Sequence, residues 1–252
     1  MGDKTDSGFA VGITYDEASN QGRIVATTMS QSHSQTVHSP PQVIFFDAVG
    51  TLFGVKGSVG EIYAELARPY GVHGDAEAID DAFYQAFNAA PPMAFPGVDV
   101  YSIPAREFEW WKAIAQQTFQ TVGVLEQFTH FDHFFDSLYE HFATADPWFV
   151  YEDTLKTLMH YKQQGIAMGI VSNFDSRIHR VLLALELAGF FDSITVSTDV
   201  GAAKPNVTIF QSALEKHSCS PNQAWHIGDS LKEDYEGATA AGLRGIWLQR
   251  TS

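Results

Sequence analysis

The stretch Val43-Ile44-Phe45-Phe46-Asp47-Ala48-Val49-Gly50-Thr51-Leu52 lies just after the double proline Pro40-Pro41. Its first four residues are all apolar, a pattern typical of a strand that is buried on both faces of a parallel sheet. A carboxylate, Asp47, follows this run directly. Because functional groups in open α/β sheets gather at the carboxyl ends of the strands, the stretch predicts that Asp47 lies in a functional crevice.

Similar short apolar runs recur four times downstream, and helical patterns separate each run from the next. The runs cover residues 166–171, 194–197, 224–227 and 245–248. This alternation of strands and helices predicts an α/β fold with a doubly wound parallel sheet.

The first two predicted strands are far apart in the chain. Asp47 and Ser172 differ by 172 − 47 = 125 positions, whereas a strand-helix-strand unit needs only about 30 residues or more. Ser58 and Glu61 form a capping-box pattern that opens a helix, and helical periodicity continues to about residue 142. We therefore predict an α/β core over 41–54 and 150–252, and an inserted helical cap domain over 55–149.

Residues 1–40 are rich in Ser, Thr, Gln and Gly and show no sustained helix or strand period. They are predicted to form a flexible N-terminal arm. The single Cys219 excludes an intramolecular disulfide, and no apolar run approaches the roughly 20 residues that span a bilayer. These features favour a cytoplasmic location.

The charge balance limits the possible partners. The 252 residues contain 15 Lys and Arg against 30 Asp and Glu, which gives a formal net charge of −15. Such a surface repels nucleic acid phosphates and anionic lipids, so we expect neither nucleic acid nor a membrane as a partner. The oligomeric state is not readable from the sequence.

Polar residues follow the predicted strands at their carboxyl ends. Asp47, Ser172 with Asn173, and Asp229 end three of them, and Lys204 lies on a loop after a fourth. Two carboxylates in contact repel each other unless a cation lies between them. Mg²⁺ prefers oxygen ligands and also binds phosphoryl groups, so the pattern favours a magnesium site.

Four segments resemble, in order, the four motifs of the haloacid dehalogenase (HAD) superfamily. They are Phe45 to Leu52, Ser172-Asn173, Lys204-Pro205, and Gly228-Asp229-Ser230 with Asp234. The resemblance extends from about residue 42 to the C-terminus. It implies a Rossmann-like core, and the helical insertion is similar to the C1-type cap of that superfamily.

The resemblance implies a Mg²⁺-dependent phosphatase that acts on a small phosphorylated metabolite. Asp47 would attack the substrate and carry an aspartyl-phosphate, a covalent route that divides one hard step into two easier ones. Ser172, Asn173 and Lys204 would bind the substrate, and Lys204 would neutralise charge beside the nucleophile. The implied magnesium ligands are Asp47, the backbone carbonyl of Val49 and Asp229, with Asp234 as a further ligand or a support for one.

The sequence departs from the phosphatase pattern at Val49. Phosphatases of the superfamily generally carry a second Asp there, which protonates the leaving group and activates water. A positioned acid or base contributes about 10²- to 10⁴-fold, so its absence weakens such an enzyme without abolishing it. Aryl and acyl phosphates would suffer least, because their leaving groups need little protonation.

Three alternatives stay open because of Val49. One is a binding or regulatory protein that kept the scaffold and lost turnover. Another is a metal-free dehalogenase, although those relatives typically carry Tyr at this position and lack the metal-binding fourth motif. The third is a phosphonate-cleaving enzyme, which would need a cap lysine, and Lys56 and Lys112 are the candidates.

A cluster in the cap offers metal-ligand types. On a helix over 128–142, one arc of about 100° would hold His130, His133, Glu140 and His141. The arc is either a zinc face or, as we prefer, the solvated face of an amphipathic helix.

Aromatic residues in the insertion are also open to two interpretations. Trp110 and Trp111 with Phe108 either line a substrate pocket or, as we prefer, pack inside the cap. Trp148 and Phe149 lie where the chain should return to the core, and no spacing decides whether they form a hinge.

Overall fold

The computed structural model describes residues 13–16, 21–24 and 40–250. Within the predicted N-terminal arm, β1 (Ile13–Asp16) and β2 (Gln21–Ile24) pair as antiparallel strands. The remainder of that arm lies outside the described residues, and its flexibility stays a prediction.

Seven further strands follow within residues 40–250. In chain order they are β3 (Val43–Phe46), β4 (Phe53–Val55), β5 (Trp148–Val150), β6 (Ala167–Ser172), β7 (Ser193–Val196), β8 (Ala224–Gly228) and β9 (Arg244–Trp247). Five of them form the core sheet in the order β7-β6-β3-β8-β9, and every neighbouring pair is parallel. The predicted parallel α/β sheet is confirmed, with β3 at its centre.

The helices are longest in the insertion between β4 and β5. They are α1 (Val59–Ala67), α2 (Ala76–Ala89), α3 (Ile103–Val122), α4 (Phe131–His141), α5 (Thr154–Gln163), α6 (Ile178–Ala184), α7 (Ser197–Val200), α8 (Val207–Lys216) and α9 (Gly237–Ala240). A π-helical segment, Leu231–Glu236, runs directly into α9. No helix in the described part of the chain is long and apolar enough to cross a membrane.

Strand β3 is buried on both faces because its side chains alternate between two hydrophobic cores. Ile44 and Phe46 belong to a core that includes apolar residues of α5 and α6. Val43 and Phe45 belong to a second core with α8 and α9. The sheet is therefore covered by helices on both sides, which is the doubly wound arrangement that the sequence predicted.

The inserted cap is a helical unit with its own aromatic core, built from α1 to α4. The predicted capping box opens α1, since the Ser58 hydroxyl accepts from the Glu61 N–H at 3.1 Å and the Ser58 N–H donates to the Glu61 carboxylate at 3.1 Å. Phe83, Phe119 and Phe134 are among the buried residues of the cap core. The expected helical insertion is thus confirmed.

The two chain crossings between core and cap lie side by side. Strands β4 and β5 pair antiparallel, with Phe53 opposite Val150 and Val55 opposite Trp148. The predicted cap limits, residues 55 and 149, fall inside this two-stranded ribbon. Trp148 is buried in it, whereas Phe149 is exposed.

Candidate active site

The parallel sheet brings three predicted site residues to one edge. Asp47 directly follows β3, Ser172 is the last residue of β6, and Asp229 directly follows β8. Because β3 pairs with both β6 and β8, the carboxyl ends of these strands are neighbours. The polar residues therefore meet although they are far apart in the chain.

A cavity of about 410 Å³ lies between this sheet edge and the cap. All seven site residues that the sequence singled out line it: Asp47, Val49, Ser172, Asn173, Lys204, Asp229 and Asp234. We call the core residues among its walls the floor, and the cap residues among its walls the roof.

Lys204 is the central cation of the floor. Its ammonium group lies 2.6 Å from a carboxylate oxygen of Asp47 and 2.6 Å from one of Asp234, and the residue is only 4% exposed. Burial alone would lower the pKa of Lys204, but the two carboxylates outweigh burial and raise the pKa above its ordinary value. Lys204 therefore stays charged beside the nucleophile candidate.

The loop that carries Lys204 is fixed by Asn173. The Asn173 side-chain oxygen accepts from the Lys204 N–H at 2.7 Å, and its side-chain nitrogen donates to the Lys204 carbonyl at 3.0 Å. That nitrogen also donates to a carboxylate oxygen of Glu233 at 3.1 Å. Asn173 thus holds the lysine loop against the end of β6.

The pKa values of the nucleophile candidate Asp47 and of its neighbour Asp234 shift in opposite directions. Burial raises the pKa of Asp47 above its ordinary value, and attraction to Lys204 opposes only part of this effect. Burial also acts to raise the pKa of Asp234, but Lys204 and the His226 hydrogen bond outweigh burial and lower that pKa. Asp234 therefore keeps its negative charge to a lower pH than Asp47 does.

Both carboxylate oxygens of Asp234 have hydrogen-bond partners within the protein. One carboxylate oxygen accepts from Lys204 and lies 2.8 Å from the His226 ring nitrogen Nε2, and the other accepts from the Ser230 N–H at 3.0 Å. His226 is completely buried inside β8. A histidine within an apolar strand was a signal of such a partner, and the sequence analysis missed it.

Asp229 differs from the other two acids in that it forms no ion pair with Lys204. Its carboxylate accepts a hydrogen bond from the Thr51 hydroxyl at 3.3 Å. Partial burial, followed by repulsion from Asp47, raises the pKa of Asp229 to about 6. Gly50 permits its close approach, because a Cβ atom there would lie 2.3 Å from an Asp229 oxygen and the backbone φ is +86°.

The acids of the floor fit a divalent cation. Asp47, Asp229 and Asp234 each offer an oxygen within 4.8 Å of the others. Lys204 matches the charge beside Asp47 and Asp234, whereas Asp229 contacts no cationic side chain among the described residues. Carboxylate oxygens with excess negative charge are the ligands that Mg²⁺ prefers.

The roof is chemically unlike the floor. Every cap residue that lines the cavity is uncharged, and most are aromatic: Val55, Val59, Tyr63, Phe83, Tyr84, Phe87, Trp111, Phe135, Leu138, Tyr139, Phe142 and Trp148. Helical periodicity marks such residues as one buried face, but it does not say that part of the face borders a cavity.

A buried ion pair joins the floor to the roof just after β6. The Arg177 side chain donates to Asp175 through Nε at 2.9 Å and to the Tyr139 carbonyl at 3.0 Å. Its guanidinium lies 3.7 Å from the centre of the Tyr139 ring. The indole N–H of Trp111 donates to Asp175 at 2.6 Å, so cap and core share one hydrogen-bond network.

A second buried acid, Glu107 of α3, belongs to the same junction. It accepts from the Ser176 N–H at 3.0 Å and from the Ser176 hydroxyl. Burial raises the pKa of Glu107, although the Ser176 hydrogen bonds oppose this. Neither Glu107 nor Asp175 stands in a pattern that distinguishes it from a surface acid in the sequence.

The alternative metal face in the cap does not assemble. His130, His133 and Glu140 are exposed, and Glu140 pairs with Arg180 at 2.9 Å. Within the described residues, the metal-capable group of three acids or histidines is Asp47, Asp229 and Asp234. The cap cluster therefore corresponds to a solvated helix face.

The cap lysines and tryptophans also take definite places. Lys56 is exposed and Lys112 pairs with Asp132 at 3.0 Å, so neither lines the cavity as a phosphonate-cleaving site would require. Trp111 lines the cavity, whereas Trp110 donates to the Pro91 carbonyl at 2.9 Å inside the cap. Phe108 packs on the rings of Phe135 and Tyr139, as expected for cap packing.

The family model of haloacid dehalogenase-like hydrolases matches residues 41–242. The chain belongs to this family. A mouse relative, haloacid dehalogenase-like hydrolase domain-containing protein 3, is 34% identical over 205 residues, which cover 81% of this chain and 80% of the relative. The resemblance seen in the four HAD motifs is confirmed.

Solved structures of HAD proteins share the fold. A HAD phosphatase from Thermococcus onnurineus matches with a TM-score of 0.56 at 23% identity, covering 83% of this chain and 87% of its own. The L-2-haloacid dehalogenase from Xanthobacter autotrophicus matches with a TM-score of 0.60 at 18% identity, covering 84% and 79%. The shared fold therefore does not distinguish a phosphatase from a dehalogenase.

Proposed function

We propose that this HAD hydrolase is a Mg²⁺-dependent phosphatase of a small phosphorylated metabolite, with a covalent intermediate on Asp47. The observation that carries the proposal is the arrangement of Asp229 beside Asp47, because it provides oxygen ligands with unmatched negative charge next to the nucleophile.

The magnesium ion would be held by Asp47, Asp229 and the backbone carbonyl of Val49. When bound, Mg²⁺ supplies positive charge that offsets the charge of the phosphoryl group and of the acids around it. Asp234 would support the site through Lys204, since its oxygens already accept from Lys204 and Ser230.

The chemical steps use groups of the floor. A carboxylate oxygen of Asp47 would attack phosphorus, and the ester oxygen would leave with the bonding electrons. Lys204 would neutralise charge between the nucleophile and the phosphoryl group, and the Ser172 hydroxyl would donate to a phosphoryl oxygen. Asn173 would act by positioning Lys204, because both ends of its amide bond the lysine backbone.

A second candidate, a binding or regulatory protein, is favoured by Val49. The side chain of Val49 lines the cavity at the position where the family places a proton-transferring Asp, and it has no proton to transfer. Such a protein would bind Mg²⁺ and a phosphorylated ligand with little or no turnover.

The deciding experiment measures phosphate release from a panel of phosphorylated metabolites and one aryl phosphate, with Mg²⁺ and with chelator. Asp47→Asn is the test variant, and Asp132→Asn, which changes an exposed acid of the cap, is the matched control. Mg²⁺-dependent release that is lost only in Asp47→Asn supports the phosphatase. No phosphate release, together with retained Mg²⁺ binding, supports the binding protein. Halide release from 2-haloacids would support the dehalogenase.

A further inference from the structure

The cavity has two chemically distinct ends. The lining acids and the lysine, Asp47, Lys204, Asp229, Glu233 and Asp234, all belong to the floor. The lining residues of the roof carry no charge. A molecule that places a phosphoryl group on the floor must therefore place its remaining part against uncharged, mostly aromatic side chains.

Three aromatic rings of the roof, two on α2 and one on α3, lie nearly parallel to one another in a row. Phe83 and Phe87 are nearly parallel, with 22° between their planes and 5.8 Å between their centres. Phe87 and Trp111 are also nearly parallel, at 24° and 5.9 Å. Offset stacking on such a row favours a planar aromatic guest over a saturated one.

Part of this aromatic surface is still open. Tyr84 is 49% exposed and Phe87 is 38% exposed, although both line the cavity. Apolar surface gains free energy when a ligand covers it, and open aromatic side chains beside a polar centre are typical of a ligand pocket.

Arg177 also lines the cavity, but it does not provide a site for a second anion. Two of its nitrogens donate to the Asp175 carboxylate, at 2.9 Å and 2.5 Å, and a third donates to the Tyr139 carbonyl. Its charge is therefore already matched by a buried carboxylate. A further anionic group of a ligand would be buried here without a counterion, which is costly.

The absence of an acid at position 49 also favours an aromatic leaving group. An alcohol leaves as an alkoxide unless it is protonated, and Val49 provides no proton. A phenol has a pKa of about 10, like the Tyr side chain, so a phenolate leaves without help. The floor and the roof thus point independently to the same leaving group.

We infer that the substrate of this site is a phosphate monoester of an uncharged phenol, whose ring packs against Phe87, Tyr84 and Trp111 of the roof. This inference rests on the proposed phosphatase function. Asp47 forms a bond to phosphorus as the phosphorus–phenolate bond breaks, and the phenolate then takes a proton from water. Water next attacks the phosphorus of the aspartyl-phosphate, which releases inorganic phosphate and restores Asp47.

The test compares four compounds with the full chain and Mg²⁺: phenyl phosphate, cyclohexyl phosphate, 4-carboxyphenyl phosphate and acetyl phosphate. We expect kcat/KM for phenyl phosphate to exceed that for cyclohexyl phosphate by about 10²-fold or more, because only cyclohexanol needs a proton donor. We expect phenyl phosphate to exceed 4-carboxyphenyl phosphate by about tenfold, although the carboxylated phenol is the better leaving group.

Acetyl phosphate separates the two proposals, since it has a good leaving group and no ring. Asp47-dependent hydrolysis of acetyl phosphate, with phenyl and cyclohexyl phosphates equal, would overturn the phenolic substrate and leave the phosphatase standing. Silence with all four compounds would overturn the phosphatase and the inference with it.

Two further measurements test the ring site itself. Phenylphosphonate, which has no ester oxygen to cleave, should bind about tenfold more tightly than methylphosphonate in calorimetry. Phe87→Ala should raise KM for phenyl phosphate about tenfold, whereas Leu183→Ala, an exposed apolar residue of α6 outside the cavity, should not. Equal affinities of the two phosphonates, or an unchanged KM in Phe87→Ala, would contradict the assigned ring site.

Discussion

The floor and the roof of one cavity are built on different principles. The floor includes polar residues at strand ends, and two of its acids, Asp47 and Asp234, each contact Lys204 at 2.6 Å. The roof consists of uncharged side chains, most of them on helices, and some of its rings remain half exposed. The sheet therefore positions the charged groups, whereas a separate helical insertion provides the uncharged wall of the same cavity.

The largest effect is expected from removing the cation of the floor. Lys204→Met leaves Asp47 and Asp234 buried without their counterion, so chelator-treated protein should lose about 3 kcal/mol of unfolding free energy at pH 8. Mg²⁺ should restore part of the loss. The measurement is urea unfolding with and without Mg²⁺.

Lys112→Met is the matched control for that prediction. Lys112 pairs with an exposed acid, Asp132, so its removal should cost less than about 1 kcal/mol. Equal stability of Lys204→Met and wild type in chelator would show that Lys204 does not balance the acids of the floor.

The next largest effect is expected from adding a carboxyl group to the floor at position 49. Val49→Asp should raise turnover of alkyl phosphates by about 10²-fold, because the new carboxyl group can protonate the leaving oxygen and activate water. The phenyl-to-cyclohexyl ratio should shrink accordingly. Val49→Asn is the control for size and polarity, and a gain in this variant equal to that of Val49→Asp would show that proton transfer is not the missing function.

A smaller effect comes from the junction between floor and roof. Trp111→Phe removes the indole donor to buried Asp175, so unfolding free energy should fall by about 1.5 to 3 kcal/mol. Trp110→Phe removes a hydrogen bond to a neutral carbonyl and should cost about 1 kcal/mol. Circular dichroism at increasing urea compares the two, and a larger loss in Trp110→Phe would argue against a stabilising junction.

The smallest expected effect is the pH dependence of stability that Glu107 causes. Burial raises the pKa of Glu107 in the folded protein above its ordinary 4.5, so the folded state binds this proton more tightly than the unfolded state. Wild-type stability is therefore lost as pH rises from about 4.5 through the folded pKa. Glu107→Gln does not titrate, and its melting temperature relative to wild type should rise over that window.

Glu140→Gln gives a control of opposite sign. Its hydrogen bond to Arg180 lowers the pKa of Glu140, so the wild-type pair stabilises the fold above pH 4.5 and loses this contribution as pH falls. The Gln variant should therefore lose stability relative to wild type as pH rises. The same direction of change in both variants would contradict the assignment of Glu107 as a buried acid.

The strands of the core sheet and the seven predicted site residues of the floor could be predicted because a short local sequence pattern indicates each of them. Strand β3 begins and ends where its apolar run predicts, and a parallel sheet forces Asp47, Ser172 and Asp229 to one edge. A short apolar run followed by a polar residue is enough to place such a site.

The roof and the junction could not be predicted, because they depend on how the cap packs on the core. Helical periodicity explained Phe83 and Leu138 as core residues and could not show that they border a cavity. Asp175, Glu107 and Arg177 look like surface charges until the fold brings them together. The partners of His226 were likewise fixed only by the return of the chain after β8.

The covalent role of Asp47 is tested most directly by mass spectrometry of protein quenched in acid during turnover of phenyl phosphate with Mg²⁺. A single phosphoryl group on the peptide that contains Asp47, absent from Asp47→Asn and shorter-lived in Val49→Asp, is the predicted result. Continued phosphate release from wild type with no phosphoryl group on that peptide at any time would contradict a covalent mechanism on the floor.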